Sequence, residues 1–230
     1  MMAEKINRPF VFLCTGMSLD GKISTFERIQ SEIATNDDRK MLWDCRIKAD
    51  AILIGGNQLR LDDPKLTVKT EEREQKRIAI GKSKEPIKAA VVSDLSTIKN
   101  RDGDFFKTGD KKVLFTTTKT SSEELEFFRK IADVYVCGNE KVNLKQALSN
   151  LYELGVKSLM VEGGGELIFS LLNENLVDEI NLKIGNLIIG GRNSPTFCDG
   201  EGFTQETAKK VKLINLIKKE NYLVLKYKIE

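Results

Sequence analysis

Histidine is absent from all 230 residues. This removes the commonest general base and the commonest transition-metal ligand, so a Ser-His-Asp triad is excluded and no metal site is expected. Catalysis must rest on carboxylates, Lys or Arg, hydroxyls, backbone groups, or a cofactor that carries the reactive atom; the absence favours the cofactor. The cysteines at 14, 45, 137 and 198 form no C-x-x-C pair, which leaves no zinc ribbon or redox dithiol and reads as buried free thiols. No apolar run approaches the roughly 20 residues of a membrane-spanning helix. The opening MMAEKINRPF lacks the apolar stretch of a secretory signal, so a cytoplasmic location is expected. Charge of neither sign dominates: 37 basic and 34 acidic residues, net +3, are interspersed, which argues against a nucleic-acid surface.

What is present alternates. Residues 9–17, PFVFLCTGM, and 51–56, AILIGG, are near-continuous apolar runs, the pattern of strands buried on both faces of a sheet. Between them, Thr35-Asn36-Asp37-Asp38 caps a helix in which Met41, Leu42, Cys45 and Ala49 share a face and Arg46 lies on the polar side. Residues 69–86 are charged and weakly patterned and read as an exposed excursion. AAVVS at 89–93, KVLFTT, VYVCG and SLMVE at 158–162 continue the strands, with helices opened by Ser121-Ser122-Glu123-Glu124 and spanning 143–154. After the helix in GGGELIFSLLNENL come a long strand-like stretch, DEINLKIGNLIIGG, and the alternating NYLVLKYKIE, a terminal antiparallel strand. Trp43 and the phenylalanines at 105, 106, 127 and 128 read as packing residues. The pattern predicts one α/β domain over 1–230 with a mixed, mostly parallel central sheet flanked by helices.

The strongest local signal is VEGGGEL. Glycines between a parallel strand and a helix let backbone approach a pyrophosphate while the helix amides face it, although such a turn also serves tight packing alone. It is neither G-x-G-x-x-G nor a P-loop. Glu162, at the carboxyl end of a strand, can accept hydrogen bonds from sugar hydroxyls or satisfy helix amides. In IGGNQLRLDDPKLT, turn chemistry explains Asp63-Pro64, whereas Asp62 is open to ligand contact or to turn capping. Arg46 and Lys69 are candidate phosphate ligands. Lys119, after a predicted strand end, is a further basic candidate without motif support.

Three stretches taken together, TGMSLDGKIS at 15–24, ILIGGNQLRLDDPKLTVK at 52–69 and VEGGGELIFSLLNENLVDEINLKI at 161–184, resemble the riboflavin-biosynthesis reductase family. With PTFCDGEGF at 195–203, the match looks closest to its stand-alone archaeal and fungal type and covers nearly the whole chain in order. The resemblance implies a dihydrofolate-reductase-like fold, a homodimer, NADPH as hydride donor with NADH an admissible substitute, and a pyrimidine carrying a ribosylamino 5′-phosphate as substrate. It implies reduction at C1′ of the ring-opened ribose to a ribitylamino product, without metal and without the zinc deaminase fused to bacterial members. Carried over by position, Met17, Ile33, Gln58, Asp62, Ser93 and the turn Gly163, Gly164, Gly165, Glu166, Leu167 and Ile168 are cofactor contacts. Ser31, Arg46, Leu66, Lys69 and Glu162 belong to the substrate side. Asp62 and Glu162 are the candidates for ring opening or proton delivery. The family commonly has Thr in place of Gln58 and Arg in place of Lys69, which loses a bidentate phosphate grip. The alternatives are a same-fold reductase of the deaminated pyrimidine or of a pterin or folate, and a non-catalytic nucleotide-binding protein.

Overall fold

The alternation read from the sequence becomes an α/β fold with a mixed, mostly parallel sheet. The computed structural model describes residues 7–28, 33 and 39–230. In chain order the elements are β1 (Phe10–Met17), α1 (Lys40–Lys48), β2 (Ala51–Gly55), α2 (Gly56–Asp62), α3 (Glu71–Ala79), β3 (Ile87–Val91) and α4 (Asp104–Lys107). β4 (Lys112–Thr116), α5 (Ser122–Phe128), β5 (Asp133–Val136), α6 (Leu144–Glu153) and β6 (Ser158–Gly163) follow. The chain closes with α7 (Gly165–Asn173), β7 (Glu179–Ile184), β8 (Val211–Lys218) and β9 (Leu223–Ile229). The cap cluster expected at 35–38 lies outside the described residues. Two compact units emerge, one of Ala49–Leu159 with the described part of Met1–Phe10, the other of Val11–Lys48 with Met160–Glu230.

In the first unit the strands run β5-β4-β3-β2, all parallel, with Ala51 opposite Ile87, Lys88 opposite Lys112 and Val113 opposite Asp133. Ala51 to Ile54 are fully buried, as a strand covered on both faces requires. α6 buries Leu144, Ala147, Leu148 and Leu151, a single helical stripe, behind the Asn143 cap. Phe105, Phe106 and Phe128 pack in the interior. The charged stretch read as an excursion contains α3, capped by the Thr70 side chain and led by Glu71, Glu72 and Glu74. Its one buried side chain is Arg77, which donates to Ser83 O at 2.8 Å and Ala49 O at 2.6 Å. A helix that buries a hydrogen-bonded arginine shows no apolar period, and that is why the pattern misled.

Lys88 of β3 is also wholly buried, donating to Phe105 O at 2.9 Å and to the Thr108 hydroxyl at 2.6 Å. Burial outweighs these contacts and holds the ammonium down at about 8, from an ordinary 10.5. Between those values the unfolded chain binds more protons than the folded one, so Lys88 makes stability rise with pH from about 8 to 10.5. Urea titrations across that window should show wild type gaining stability relative to Lys88→Met; parallel curves would refute the assignment.

In the second unit the order is β6-β1-β7-β9-β8, with Met160–Gly163 of β6 included. β1 pairs β7 in parallel, Leu13 opposite Ile180; β9 runs antiparallel to both β7 and β8. The long strand expected over 178–191 stops at Ile184, and 185–191 is loop, tied back where the Asp20 carboxylate accepts from Ile189 N and Gly190 N. Cys14, Cys45 and Cys137 are buried, while Cys198 is only half-buried. β8 went unread: every residue of it is exposed, and a bulge between Leu213 and Asn215 breaks the alternation that would have marked it.

Candidate active site

β6 delivers Glu162 and Gly163 to the start of α7, whose cap, Gly164, supplies no side-chain hydrogen bond. Gly163 has φ 127°, a conformation L side chains rarely adopt, and the Gly163–Gly164 peptide is cis. The neighbouring glycines serve different ends. A methyl on Gly165 would meet the Thr196 carbonyl and the Asp199 carboxylate at 2.5 Å each, whereas one on Gly164 would have nothing within 4 Å. Asp199 is held in place by the Thr196 amide at 3.1 Å and hydroxyl at 2.6 Å. Gly165 is therefore demanded by packing, and Gly164 borders open space.

The amides of Leu167 and Ile168 both donate to Gly164 O, and those side chains point into the core. The amides of Gly165 and Glu166 find no acceptor among the described residues. Two open N–H groups at the positive end of a nine-residue helix are electrostatically suited to an anion.

Immediately before the turn, Glu162 accepts from Arg46 Nε at 2.6 Å and Arg46 Nη2 at 2.8 Å. Both side chains are only 8% exposed, and the guanidinium lies 5.2 Å from the Trp43 ring centre. Arg46 thus departs from the expected polar side of α1. A buried carboxylate needs its countercharge buried with it, and α1 turns Arg46 inward to supply it. The Cys14 thiol, hydrogen-bonded to Cys45, buried, and near the Glu162 charge, is held well above the ordinary thiol range and stays neutral. Met17 ends β1 half-buried, and Ile33 is buried; Ser31 lies outside the described residues.

In the first unit, Gln58 and Asp62 stand on α2, and Leu66 and Lys69 on the loop that follows it. Gln58 presents a buried Oε1 with no partner among the described residues. Asp62, the last residue of α2, makes no ion pair or hydrogen bond among those residues, and desolvation raises its carboxyl pKa although the side chain remains solvent-accessible. Asp63, Leu66 and Lys69 all adopt left-handed backbone, at φ 42°, 47° and 70°, a concentration of strain typical of ligand-binding loops. Ser93 follows β3 and its carbonyl accepts from the Thr117 hydroxyl at 2.6 Å. Lys119 is engaged by Glu140 at 2.5 Å. Sequence reasoning missed Asp199 and the Arg46–Glu162 pairing, neither of which has a local signal beyond the Asp-Gly turn at 199–200. Among the described residues there is no His/Cys/Asp/Glu group placed to hold a metal.

The sequence profile of the RibD C-terminal domain family matches residues 9–224. The chain is 40% identical over 200 residues to the 2,5-diamino-6-ribosylamino-4(3H)-pyrimidinone 5′-phosphate reductase of Archaeoglobus fulgidus, covering 86% of this chain and 90% of that one. Its fold is similar to that of a pyrimidine reductase-like protein of Corynebacterium diphtheriae, with a TM-score of 0.77 at 19% identity over 97% of this chain and 93% of the other. An equal TM-score of 0.77, at 20% identity over 96% of the chain, relates it to a Thermotoga maritima diaminohydroxyphosphoribosylaminopyrimidine deaminase/5-amino-6-(5-phosphoribosylamino)uracil reductase, of which it spans 57%.

Proposed function

The chain belongs to the RibD C-terminal domain family, and from that premise we propose that it reduces the ribosylamino group of 2,5-diamino-6-ribosylamino-4(3H)-pyrimidinone 5′-phosphate to the ribitylamino form in riboflavin biosynthesis, with NADPH as donor, in the cytoplasm. The observation that carries the reading is the turn itself: two open amides and the space beside Gly164, next to a buried, ion-paired carboxylate. A bound nicotinamide dinucleotide supplies the hydride for C1′. The protein's own groups do the rest. The Gly165 and Glu166 amides bind a diphosphate, and Glu162, fixed by Arg46, accepts from the ribose hydroxyls through its remaining lone pairs. Asp62, whose carboxyl holds its proton to a higher pH than an ordinary aspartate, is the candidate to deliver a proton on ring opening.

The direct test is oxidation of NADPH with this substrate and with its deaminated analogue. Turnover is expected with the first and weaker turnover with the second. Neither cofactor binding nor turnover with either compound would end the reductase reading, and preference for the analogue would assign the bacterial order of reduction.

We also propose a homodimer that covers β8. Val211, Leu213, Ile214, Leu216 and Ile217 are 43–51% exposed on a strand that ends its sheet. An open apolar edge invites uncontrolled pairing, and a second copy related by a twofold closes it with one self-complementary surface. Sedimentation equilibrium should give a dimer that Leu213→Glu with Leu216→Glu converts to a monomer. A monomeric wild type would contradict this.

A further inference from the structure

The loop that carries Leu66 and Lys69 is fastened by the residue at its start. We propose that Asp63 is a positioning residue for substrate binding, its carboxylate clamping the 63–69 loop onto the N-terminus of α4. The proposal rests on the proposed reductase activity and on the family resemblance that carries Leu66 and Lys69 over to the substrate side.

Asp63 does more than its Asp-Pro turn requires. One oxygen accepts from the Asn100 side-chain amide at 2.7 Å and from Asp104 N at 2.8 Å, and the other accepts from Phe105 N at 3.0 Å. Asp104 and Phe105 open α4, whose own cap residue, Gly103, provides no side-chain acceptor. Asp63 therefore caps a helix some 40 residues further along the chain, and a charged acceptor at helix amides makes a strong, directional bond. Gly103 is glycine for the same reason, since a Cβ there would overlap the Asp63 carboxylate and the Asn100 amide.

α4 is itself a fixed point. Lys88 on β3 donates to Phe105 O and to the Thr108 hydroxyl, and that hydroxyl lies 3.3 Å from Lys65 O in the loop. Strand, buried lysine, short helix and Asp63 thus form one continuous set of contacts within the first unit. What they hold is a conformation that relaxes readily: Leu66 and Lys69 each sit at positive φ without being glycine. Leu66 is 1% exposed, so the strain is locked in by burial at one point and by Asp63 at the other.

The experiment compares Asp63→Ala, Asp63→Asn, Gly103→Ala and Lys69→Ala in the full chain. Calorimetric titration of 2,5-diamino-6-ribosylamino-4(3H)-pyrimidinone 5′-phosphate without cofactor, steady-state KM and kcat, and thermal unfolding are read together. Asp63→Ala, which removes the carboxylate, and Gly103→Ala, whose methyl displaces it, should each weaken substrate binding and raise KM by about tenfold to a hundredfold, with kcat changed far less. Asp63→Asn keeps one oxygen acceptor and should fall between these and wild type. If Asp63→Ala does not fold, Asp63→Asn and Gly103→Ala decide the matter. Unchanged substrate affinity in folded variants, even with a lowered Tm, reduces Asp63 to a structural cap and overturns the proposal. Loss in Lys69→Ala without loss in the Asp63 and Gly103 variants sinks the positioning role alone. Loss in those variants with Lys69→Ala normal also sinks it, because the loop then does not meet substrate, and that outcome counts against the wider reading as well.

Discussion

Arg46→Met is expected to destabilise the protein by about 3–5 kcal/mol, because it strands the Glu162 carboxylate in the interior without its partner. For a chain of this size that corresponds to a fall in Tm on the order of 10 °C. The size of the effect follows from the geometry. The pair is bidentate, at 2.6 and 2.8 Å, and each side chain is 8% exposed, so solvent screens it little. The expected loss is the penalty of a lone buried charge and not the net worth of the pair. Arg46→Met combined with Glu162→Gln should therefore recover about 1–3 kcal/mol relative to Arg46→Met alone, and adding the cost of Glu162→Gln by itself gives the coupling that a double-mutant cycle measures. Both variants should lose most of their turnover, since Glu162 is either misplaced or neutral. Chemical denaturation of the four proteins of the cycle is the check. Additive effects would show that Arg46 and Glu162 act independently.

The second large effect separates two readings of one turn. Gly165→Ala should cost about 1–3 kcal/mol in stability, because its methyl meets a backbone carbonyl that cannot move aside freely. Gly164→Ala should leave stability within about 0.5 kcal/mol, since the methyl meets nothing and φ −76° suits alanine. Its effect should fall on the cofactor instead: the methyl occupies the approach to the open amides, and losing one charge-assisted hydrogen bond weakens NADPH binding by about tenfold or more. Thermal unfolding and NADPH titration of the two variants, side by side, make the comparison. If Gly164→Ala binds NADPH as wild type does, the turn is a packing device and the diphosphate lies elsewhere.

The glycine turn illustrates how far local pattern reaches. Its position between a buried strand and an apolar helical stripe was legible in VEGGGELIFSLL, because burial on both faces and helical spacing are written in consecutive residues. Which glycine serves packing was not, since Thr196 and Asp199 approach from some 30 residues away. α3 was hidden by its charge; the Thr70 cap with acidic residues behind it was the signal available, and its single buried side chain, Arg77, contributes nothing to an apolar period.

Asp63 was read as a turn residue and is that, with φ 42° at the end of α2. Its carboxylate's service to Asp104 and Phe105 depends on a contact that no window of sequence contains. Arg46 makes the same point with charge. Helical spacing set it opposite Met41 and Cys45, and only the arrival of Glu162, 116 residues later, turned it inward.

By itself, then, the sequence determined the alternation of the buried strands with most of the helices between them, several of their caps, the absence of histidine chemistry and the strand-to-helix site of the glycines, but not α3 or β8. All of these are settled by neighbouring residues, through period, propensity and turn chemistry. Tertiary structure alone decided which charges are buried together, which amides at α7 remain open, and which carboxylate holds the strained loop. Those outcomes depend on desolvation and on hydrogen-bond partners brought from distant segments, whose approach only the packed chain specifies.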